Sequence, residues 1–587
     1  MADFTQILLR LDSNSSLNDK QKSIMRLVID YLLNQMSMGN SCIDIQDFCK
    51  TSEQAEGTSK SLINILKKSG ICGIHTLHEQ YIEPLPLTLF MINKTNLLYI
   101  TRYLYYEVSI LRKLRSLTYN KCVNTEIVIN NLMSIKNQVQ NDYPNNEQLS
   151  AIQISALNQL SFITGGPGTG KTTTVLILLI ILIRIYKNIV NDPKICIVAP
   201  TGKAAIRVKE SVCSNLIRVT DQFGLSPYES EVINNVSYST IHKLLGYKYG
   251  SIYFKHDNNN PLDVDILIID ESSMISLPLF YKLLLAIDHQ KIKNIIFLGD
   301  KNQLSSVEEG YVFAMLVEKN KSVVSDLFTS VFNISELISS NRNLGEIAQF
   351  AGFILNNDID QIIKIIRNDS AIKARNNSNF KKIIIDLFDN DSPLVNYIRI
   401  IEEIVNLTST IDDIEVSKLL FKEFKNFAIL CAVNNGVLGV NNLNKQIETV
   451  IKNKFVINRE WYTGRPILVL ENNSALGIYN GDVGICVIVN GKPIIIFEDG
   501  KKFSPEIIPK HQLAYAMTIH KSQGSEYNHV YIILPNIVDQ NKTVLTRELL
   551  YTAITRAKAD IVLYTQFETI IFMIKNKTKR ITGIAYL

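Results

Sequence analysis

The strongest chemical signal in this sequence is a glycine-rich run that ends in lysine and hydroxyl side chains, Gly165-Gly166-Pro167-Gly168-Thr169-Gly170-Lys171-Thr172-Thr173. Glycines let a backbone curl so that its N–H groups point at phosphate oxygens. Lys171 would reach the β- and γ-phosphates, and the Thr172 hydroxyl would hold Mg²⁺. The run follows an apolar segment, 160–164, and opens an apolar helical segment, 173–185, whose start favours bound anions. It predicts binding of a nucleoside triphosphate.

A pair of adjacent carboxylates forms the second candidate site, in the run Ile268-Ile269-Asp270-Glu271-Ser272-Ser273-Met274. Asp270 would hold Mg²⁺ through water, and Glu271 would orient or deprotonate the attacking water. Two adjacent acids alone are typical of a solvated strand end. Because these follow a phosphate-binding loop and end an apolar strand, they predict hydrolysis of the bound nucleotide.

Three further side chains could act on the terminal phosphate. Gln303, in Gly299-Asp300-Lys301-Asn302-Gln303-Leu304, could hydrogen-bond the γ-phosphate or the lytic water. Arg342 and Arg556 could neutralise charge on the γ-phosphate as it leaves. A lone arginine is more often a surface residue, so their positions after the acidic pair are what point to this chemistry.

A last polar run, residues 515–527, contains hydroxyl, imidazole and ammonium groups close together. Thr518, His520 and Lys521 could contact a phosphate backbone and the nucleotide. A single histidine would more often belong to a core, but the surrounding run favours the functional interpretation.

Short apolar segments alternate with helical ones after residue 146 and must position these groups. The segments rich in Ile, Val or Leu, as buried parallel strands are, lie at 195–199, 265–269, 294–298, 428–433, 531–534 and 561–564. The motifs follow strand ends, where ligands bind in α/β folds. Residues 461–510 instead predict short strands joined by tight turns, a small antiparallel β-barrel inserted in the second α/β unit.

The first 140 residues carry no chemical motif. Helical spacing occurs at 24–33, 62–68 and 97–117, and 142–146 reads as a linker. We therefore predict a mainly helical N-terminal domain at 1–140, an α/β domain with the phosphate loop at 141–335, and a second α/β domain at 336–587.

Charge, cysteine spacing and apolar run length bear on the protein's partners and cellular location. The net charge of +5 over 587 residues permits a nucleic-acid partner without requiring one. The cysteines form no C-x-x-C pair, no signal peptide is recognisable, and the longest apolar run, 175–183, is far shorter than the roughly 20 residues of a spanning helix. These features predict a cytoplasmic protein with reduced thiols. The basic run 575–580 reads as a solvated chain end, with a DNA contact as the alternative.

Taken in order, the motifs resemble those of superfamily 1 helicases, and most closely the RecD family, the alpha subunits of exodeoxyribonuclease V. The resemblance covers roughly residues 146–566. It also rests on the runs Ala199-Pro200-Thr201-Gly202-Lys203-Ala204-Ala205, Ser239-Thr240-Ile241-His242-Lys243-Leu244-Leu245-Gly246 and Ser474-Ala475-Leu476-Gly477-Ile478-Tyr479-Asn480-Gly481-Asp482. Ser272 departs from the usual Ala, Asn302 from a frequent Asp, and Asn434 from an expected Arg.

That resemblance implies two RecA-like P-loop NTPase domains and an ATP-dependent DNA helicase that moves 5′→3′ on one strand. It assigns ATP and Mg²⁺ to the phosphate loop with Asp270 and Glu271, adenine reading to Gln148 and a ribose contact to Glu526. It makes Gln303, Arg342 and Arg556 sensors of the γ-phosphate. The residues it turns toward DNA are Thr201, His242, Thr518 and His520.

The resemblance also implies partners, the beta and gamma subunits (RecB and RecC) in a heterotrimer that acts on double-strand DNA ends in recombinational repair and DNA degradation. The N-terminal domain would bind the gamma subunit. Only 29 residues (587 − 558) follow Lys558, too few for a folded nuclease domain, so we expect the nuclease site on a partner.

Two alternatives remain open at this stage. The chain could be a helicase that works without partners, or a structural subunit that uses ATP binding only to assemble a complex. Retention of the hydrolytic groups Lys171, Glu271, Arg342 and Arg556 favours a motor over a structural subunit.

Overall fold

The computed structural model describes residues 13, 16–51, 59–76, 79, 81–92, 95–118, 125–137, 144–187, 189–190, 192–248, 250–251, 253–306, 308–319, 332–338, 345–368, 370–406, 413–473, 475–538 and 541–586. The chain divides into two compact units. Unit 1 comprises Met1–Lys301, Ser305–Ser339 and Lys579–Leu587, and unit 2 comprises Asn302–Leu304 and Ser340–Thr578.

The N-terminal part of unit 1 combines helices with a sheet. In chain order its elements are α1 (Asp19–Ser37), β1 (Cys42–Asp44), α2 (Ile45–Thr51), α3 (Ser59–Lys68), β2 (Cys72–Thr76), β3 (Leu87–Ile92), β4 (Thr95–Ile100), α4 (Thr101–Thr118) and α5 (Thr125–Lys136). The strand order is β1-β4-β3-β2, with β2 and β3 parallel and the other pairs antiparallel. The prediction of a mainly helical domain missed this sheet.

One predicted helix was wrong at its start. Residues 97–100 belong to β4, which pairs with β3 along its whole length, and α4 begins only at Thr101. A short apolar run satisfies helical and strand spacing equally well, so periodicity could not separate the two elements.

A six-stranded parallel sheet forms the rest of unit 1, in the order β10-β5-β9-β8-β6-β7. Its elements are α6 (Asn146–Leu157), β5 (Leu160–Gly165), α7 (Lys171–Tyr186), β6 (Ile195–Ala199), α8 (Gly202–Phe223), α9 (Pro227–Asn234), β7 (Ser237–Thr240), α10 (Ile241–Leu244), β8 (Ile266–Ile269), α11 (Leu277–Leu285), β9 (Asn294–Gly299), α12 (Val312–Lys319) and β10 (Ile334–Leu337). Strands β5, β6, β8 and β9 are buried at every position, as their apolar sequences predict. The α/β prediction is confirmed here.

Unit 2 holds a second parallel sheet, in the order β11-β20-β19-β12-β18. The elements around it are α13 (Glu346–Asn356), α14 (Ile359–Asn368), β11 (Ile372–Arg375), α15 (Phe380–Leu387), α16 (Pro393–Asn406), α17 (Asp413–Phe424), β12 (Phe427–Cys431), α18 (Val440–Phe455), β18 (Ala516–Thr518), β19 (Tyr527–Ile533), α19 (Arg547–Ile554), β20 (Ala557–Tyr564) and α20 (Phe567–Lys575). The predicted strands of this half lie within β12, β19 and β20 or extend them by a few residues.

An antiparallel sheet is inserted between α18 and β18. It consists of β13 (Pro466–Val469), β14 (Val483–Val489), β15 (Lys492–Phe497), β16 (Lys502–Phe503) and β17 (His511–Leu513), ordered β16-β15-β14-β13-β17. The insertion predicted at 461–510 is therefore a five-stranded sheet, and its closure into a barrel stays a prediction.

The C-terminal segment corrects two predictions. Lys579–Leu587 belongs to unit 1 rather than to the second α/β domain. The predicted solvated end is also wrong at Arg580, whose side chain donates hydrogen bonds to the carbonyl oxygens of Ser306 and Gly310. Over the residues described, we find no helix that is long and apolar enough to cross a membrane.

Candidate functional site

The glycine-rich loop connects the end of β5 to the start of α7. Gly168 and Gly170 have φ angles of 79° and 80°, in the left-handed region that favours glycine. At Gly165 a Cβ would lie 2.7 Å from the Thr169 hydroxyl and 2.9 Å from the Leu337 carbonyl oxygen. Glycine at 165 therefore lets the loop close over its own turn while β10 packs against it.

Lys171 lies over this loop. Its ammonium group donates to the carbonyl oxygens of Gly165 at 2.6 Å and Gly166 at 3.1 Å. The Thr169 hydroxyl donates to the same Gly166 oxygen at 2.8 Å. Carbonyl oxygens are weak partners for an ammonium compared with phosphate, so a bound triphosphate can take over this cation.

Gln148 on α6 joins the loop to its flanking helix. Its side chain is buried, with Oε1 accepting from the Asn145 N–H at 3.0 Å and Nε2 donating to the Thr169 carbonyl at 3.1 Å. The amide retains one hydrogen for another partner. Adenine reading by Gln148 stays a prediction.

The acidic pair follows β8 directly. The Asp270 N–H donates to the Val198 carbonyl at 2.8 Å, which fixes the strand end. Burial raises the pKa of the Asp270 carboxyl to about 6, and the Glu271 charge adds to the rise, while Lys171 and Arg207 oppose it. Glu271 has a φ of 50°, a strained value for a non-glycine residue. The strain fits a functional position.

Sequence reasoning missed Arg207 on α8, whose charge acts on Asp270. Its only signal was its place six residues after Thr201, in the motif that follows β6. The structure also accounts for serine at 272, where the resemblance leads us to expect alanine. The buried Ser272 hydroxyl donates to the Ile269 carbonyl at 2.9 Å, so it is satisfied without disturbing the strand end.

Lys171, Thr172 and Asp270 line one small cavity of about 10 Å³. A hydroxyl and a carboxylate oxygen are the hard ligands that Mg²⁺ accepts, with water and nucleotide oxygens completing its shell. In the described parts of the chain, no cluster of three or more His, Cys, Asp or Glu side chains could hold a metal alone. Thr172 and Asp270 therefore fit Mg²⁺ that is carried with a nucleotide.

Gln303 belongs to the short segment of unit 2 that follows β9. Its side chain is buried. The next residue, Leu304, is held at both backbone groups: its N–H donates to the Thr552 hydroxyl at 2.9 Å, and its carbonyl accepts from Gln523 Nε2 at 2.8 Å. Two elements of unit 2 thus fix the backbone beside Gln303.

Arg556 is 2% exposed and lies within unit 2. Its guanidinium donates to the Thr552 carbonyl at 3.2 Å and to the Ser525 carbonyl at 3.0 Å. Glu526, expected at the ribose, pairs with Lys558 at 3.4 Å. Arg342 and Ser474 lie outside the described residues.

The threonines expected to face DNA have a structural role as well. Thr201 is the N-cap of α8, and its hydroxyl accepts from the Ala204 N–H at 3.3 Å. Thr518 caps the following 3₁₀ turn in the same way, accepting from Lys521 N–H at 3.4 Å. Each cap satisfies a backbone donor that the helix start would otherwise leave open.

The two candidate histidines lie in different surroundings. His242 is exposed, but its ring lies beside aromatic neighbours, with ring centroids 5.8 Å from Phe254 and 6.1 Å from Tyr247. Burial lowers the pKa of His242, although the Glu308 charge opposes the shift. His520 is half-buried in the 3₁₀ turn Ile519–Ser522 of unit 2. A neutral His242 can accept or donate one hydrogen bond, but it adds no fixed charge.

Comparison with known proteins agrees with this geometry. The AAA domain family matches residues 148–309, and the UvrD-like helicase C-terminal domain family matches residues 513–564. RecBCD enzyme subunit RecD of Haemophilus influenzae is 31% identical over 472 residues, covering 75% of this chain and 72% of that protein. The same subunit of Buchnera aphidicola from Acyrthosiphon pisum is 32% identical over 464 residues, covering 74% of each.

The chain belongs to the RecD family. Among solved structures, Pif1 helicase from Bacteroides in complex with ADP-AlF3 and ssDNA matches with a TM-score of 0.37 and 18% identity, over 75% of this chain and 93% of that one.

Proposed function

We propose that this RecD-family chain is the 5′→3′ motor of a RecBCD-type helicase–nuclease, an ATP-dependent DNA helicase that acts on double-strand DNA ends. The observation that carries the proposal is the phosphate loop, where Lys171, Thr172 and Asp270 line one cavity at the carboxyl ends of β5 and β8. Membership of the RecD family supplies the nucleic-acid substrate.

Within this proposal each residue has one task. Loop N–H groups and Lys171 bind the triphosphate, and Thr172 with Asp270 would hold Mg²⁺, which when bound offsets phosphate charge. Glu271 orients the attacking water, and Gln303, Arg342 and Arg556 sense the γ-phosphate. Loss of that phosphate changes how tightly DNA is gripped, which turns hydrolysis into movement along the strand. Thr201, His242, Thr518 and His520 make that grip.

The partners belong to the proposal too. The relatives bear the name RecBCD enzyme subunit RecD, so we assign this chain a RecB-like and a RecC-like partner, the N-terminal part of unit 1 as the partner-binding region, and a place in the cytoplasm. The nuclease site is assigned to a partner.

Unwinding of tailed duplexes tests the motor directly. The purified full chain is incubated with duplexes that carry a 5′ or a 3′ single-stranded tail, with Lys171→Gln as the control. We expect ATP-dependent unwinding of the 5′-tailed duplex alone, lost in Lys171→Gln. Unwinding of the 3′-tailed duplex would refute the polarity, and equal activity of the control would refute the assigned ATP site.

Reconstitution with partner subunits distinguishes a chain that works only in a complex from a helicase that works alone. If the isolated chain binds ATP but does not unwind, addition of RecB-like and RecC-like partners should restore unwinding and Lys171→Gln should abolish the 5′→3′ component. Full unwinding and no effect of the partners would favour the stand-alone alternative. Nuclease activity of the chain alone would contradict the placement of the nuclease site.

A further inference from the structure

The C-terminal segment, Lys579–Leu587, belongs to unit 1, although the residues before it, Ser340–Thr578, form unit 2. Thr578 is still anchored in unit 2, where its N–H and hydroxyl both donate to Glu548 Oε2 at 2.9 and 2.6 Å. Two residues later, Arg580 lies in unit 1. Ile584 is then buried in the core of unit 1.

Arg580 makes a dense set of backbone contacts there. Its guanidinium donates to the carbonyl oxygens of Ser306 at 3.0 Å, Gly310 at 3.2 Å, Glu308 at 3.3 Å and Gly39 at 3.3 Å. Three of these four acceptors lie within residues 306–310. The Arg580 side chain thus holds three carbonyl groups of one loop, which we call the 305–310 loop.

The 305–310 loop is tightly constrained from its other sides. The Ser306 hydroxyl donates back to Glu308 and Gly310 carbonyls at 3.0 and 3.1 Å. Gly310 has a φ of 134°, and a Cβ there would lie 2.6 Å from the Leu277 nitrogen. The Leu277 N–H in turn donates to the Glu309 carbonyl at 2.8 Å. The described residues of this loop are thus held by hydrogen bonds at Ser306 and Glu309 and by close packing at Gly310.

The 305–310 loop directly follows the segment that contains Gln303. Leu304 is held by Thr552 and Gln523 of unit 2, and Ser306 is held by Arg580 in unit 1. Only Ser305 lies between the two anchors, and Gln303 stands directly before them. Ser306, which Arg580 holds, therefore lies three residues after Gln303 in the chain.

We propose that Arg580 is a positioning residue for ATP hydrolysis, which acts through the 305–310 loop on Gln303. This rests on the proposed function, in which Gln303 contacts the γ-phosphate or the lytic water. The hydrogen bonds of the Arg580 guanidinium described above all end on backbone carbonyl oxygens, and the charges of Tyr311 and Glu309 act on it. None of these groups belongs to the phosphate loop, so we expect Arg580 to affect the chemical step rather than nucleotide binding. Misplacement of a reacting group by about 1 Å can cost roughly 10²-fold in rate.

The test uses the full chain with single-stranded DNA and measures kcat and KM for ATP, nucleotide affinity and Tm. Arg580→Gln should lower kcat roughly 10- to 100-fold, with KM and nucleotide affinity within about twofold of wild type, and Arg580→Lys should recover part of the loss because it keeps a donor cation. Lys579→Gln, at the exposed neighbouring position, should match wild type. Unchanged kcat in Arg580→Gln, or equal losses in kcat, affinity and Tm, would overturn the proposal.

A double-mutant cycle with Gln303→Ala decides whether the effect passes through Gln303. Coupled residues give non-additive losses, so the double variant should be no slower than Gln303→Ala alone. Additive losses would overturn the proposed route. Should Arg580→Gln fail to fold, Ser306→Ala loosens the same loop and enters the same cycle. A different result would show that the proposed function itself is wrong: Lys171→Gln or Gln303→Ala would then hydrolyse ATP as fast as wild type.

Discussion

At the scale of single residues, three motif threonines share a role that their sequence contexts do not reveal. Thr201, Thr240 and Thr518 each occupy an N-cap, and each hydroxyl accepts from the backbone N–H three residues later, at 3.3, 3.1 and 3.4 Å. The resemblance alone assigns two of them to DNA. The caps show that the same hydroxyl also fixes the start of a helix, where backbone N–H groups favour phosphate.

Substitution at Thr201 separates the cap from the methyl group. Thr201→Ala should cost about 1 kcal/mol of stability, because the Ala204 N–H loses its partner, and it should weaken binding to single-stranded DNA. Thr201→Ser keeps the hydroxyl and should restore both. Thermal unfolding and a DNA titration of the three proteins measure this. Equal losses for Ser and Ala would show that the methyl group, not the cap, is what matters.

Arg556 is the residue with the largest expected effect on turnover. Arg556→Ala should lower kcat by about 10³–10⁵-fold while ATP binding is mostly kept, as for arginine fingers that stabilise the departing phosphate. Steady-state hydrolysis and nucleotide titration check the two halves of this statement. Because Arg556 also donates to the Ser525 carbonyl, Tm of the variant must be compared with wild type. Near-normal turnover would refute the assigned role.

At the scale of elements, the parallel strands were predictable and the N-terminal sheet was not. Buried parallel strands such as β6 and β9 are continuous apolar runs that end at polar motifs, so both their type and their ends show in the sequence. Strands β3 and β4 end without such motifs, and β4 runs directly into α4. The Arg580 contact with Gly39 joins residues 541 positions apart, a pairing that local pattern cannot contain.

Because β5 and β10 pack closely at Gly165, we predict that a side chain at this position disturbs the phosphate loop. In Gly165→Ala the new Cβ would meet the Thr169 hydroxyl and the Leu337 backbone oxygen below 3.0 Å, so the loop must shift. We expect nucleotide affinity to fall at least roughly tenfold, an amount worth about 1.4 kcal/mol. Binding of a fluorescent ATP analogue to the full chain measures it.

Gly202→Ala provides the matched control for that substitution. Gly202 begins α8, and a Cβ there meets nothing within 4 Å. Alanine is favoured over glycine in helices by up to about 1 kcal/mol, so this variant should bind nucleotide normally and be at least as stable as wild type. Equal affinities of Gly165→Ala and wild type would mean that the β5–β10 contact does not shape the site.

At the scale of the whole molecule, the N-terminal part of unit 1 and the C-terminal segment meet around one buried carboxyl group. Glu107 on α4 is 1% exposed. Its Oε1 accepts from the Ser41 and Thr582 hydroxyls at 2.5 Å each, and its Oε2 accepts from the Tyr99 hydroxyl at 2.9 Å. The C-terminal segment is thereby tied to the N-terminal sheet through a side chain that can titrate.

The pH dependence of that group has a definite sign. Burial raises the pKa of Glu107, against the opposing effect of its hydrogen bonds. An unfolded glutamate titrates near 4.3, so between that value and the raised pKa the folded state binds more protons than the unfolded state. Stability contributed by Glu107 is therefore present at the acidic end of this window and is lost as pH rises through it.

Glu107→Gln removes the titrating group, so comparison with wild type measures how much Glu107 contributes to the pH dependence of stability. The variant should be less stable than wild type, because an amide N–H₂ would face hydroxyl groups that donate to the Glu107 oxygens, at a cost of about 1–3 kcal/mol. The gap in Tm between wild type and variant should narrow as pH rises from about 4.5, while Glu210→Gln, at an exposed position on α8, should show no such trend. A gap that widens with pH would mean that the hydrogen bonds outweigh burial and hold Glu107 ionised, and the C-terminal segment would then be tied down by a charge rather than by a neutral acid.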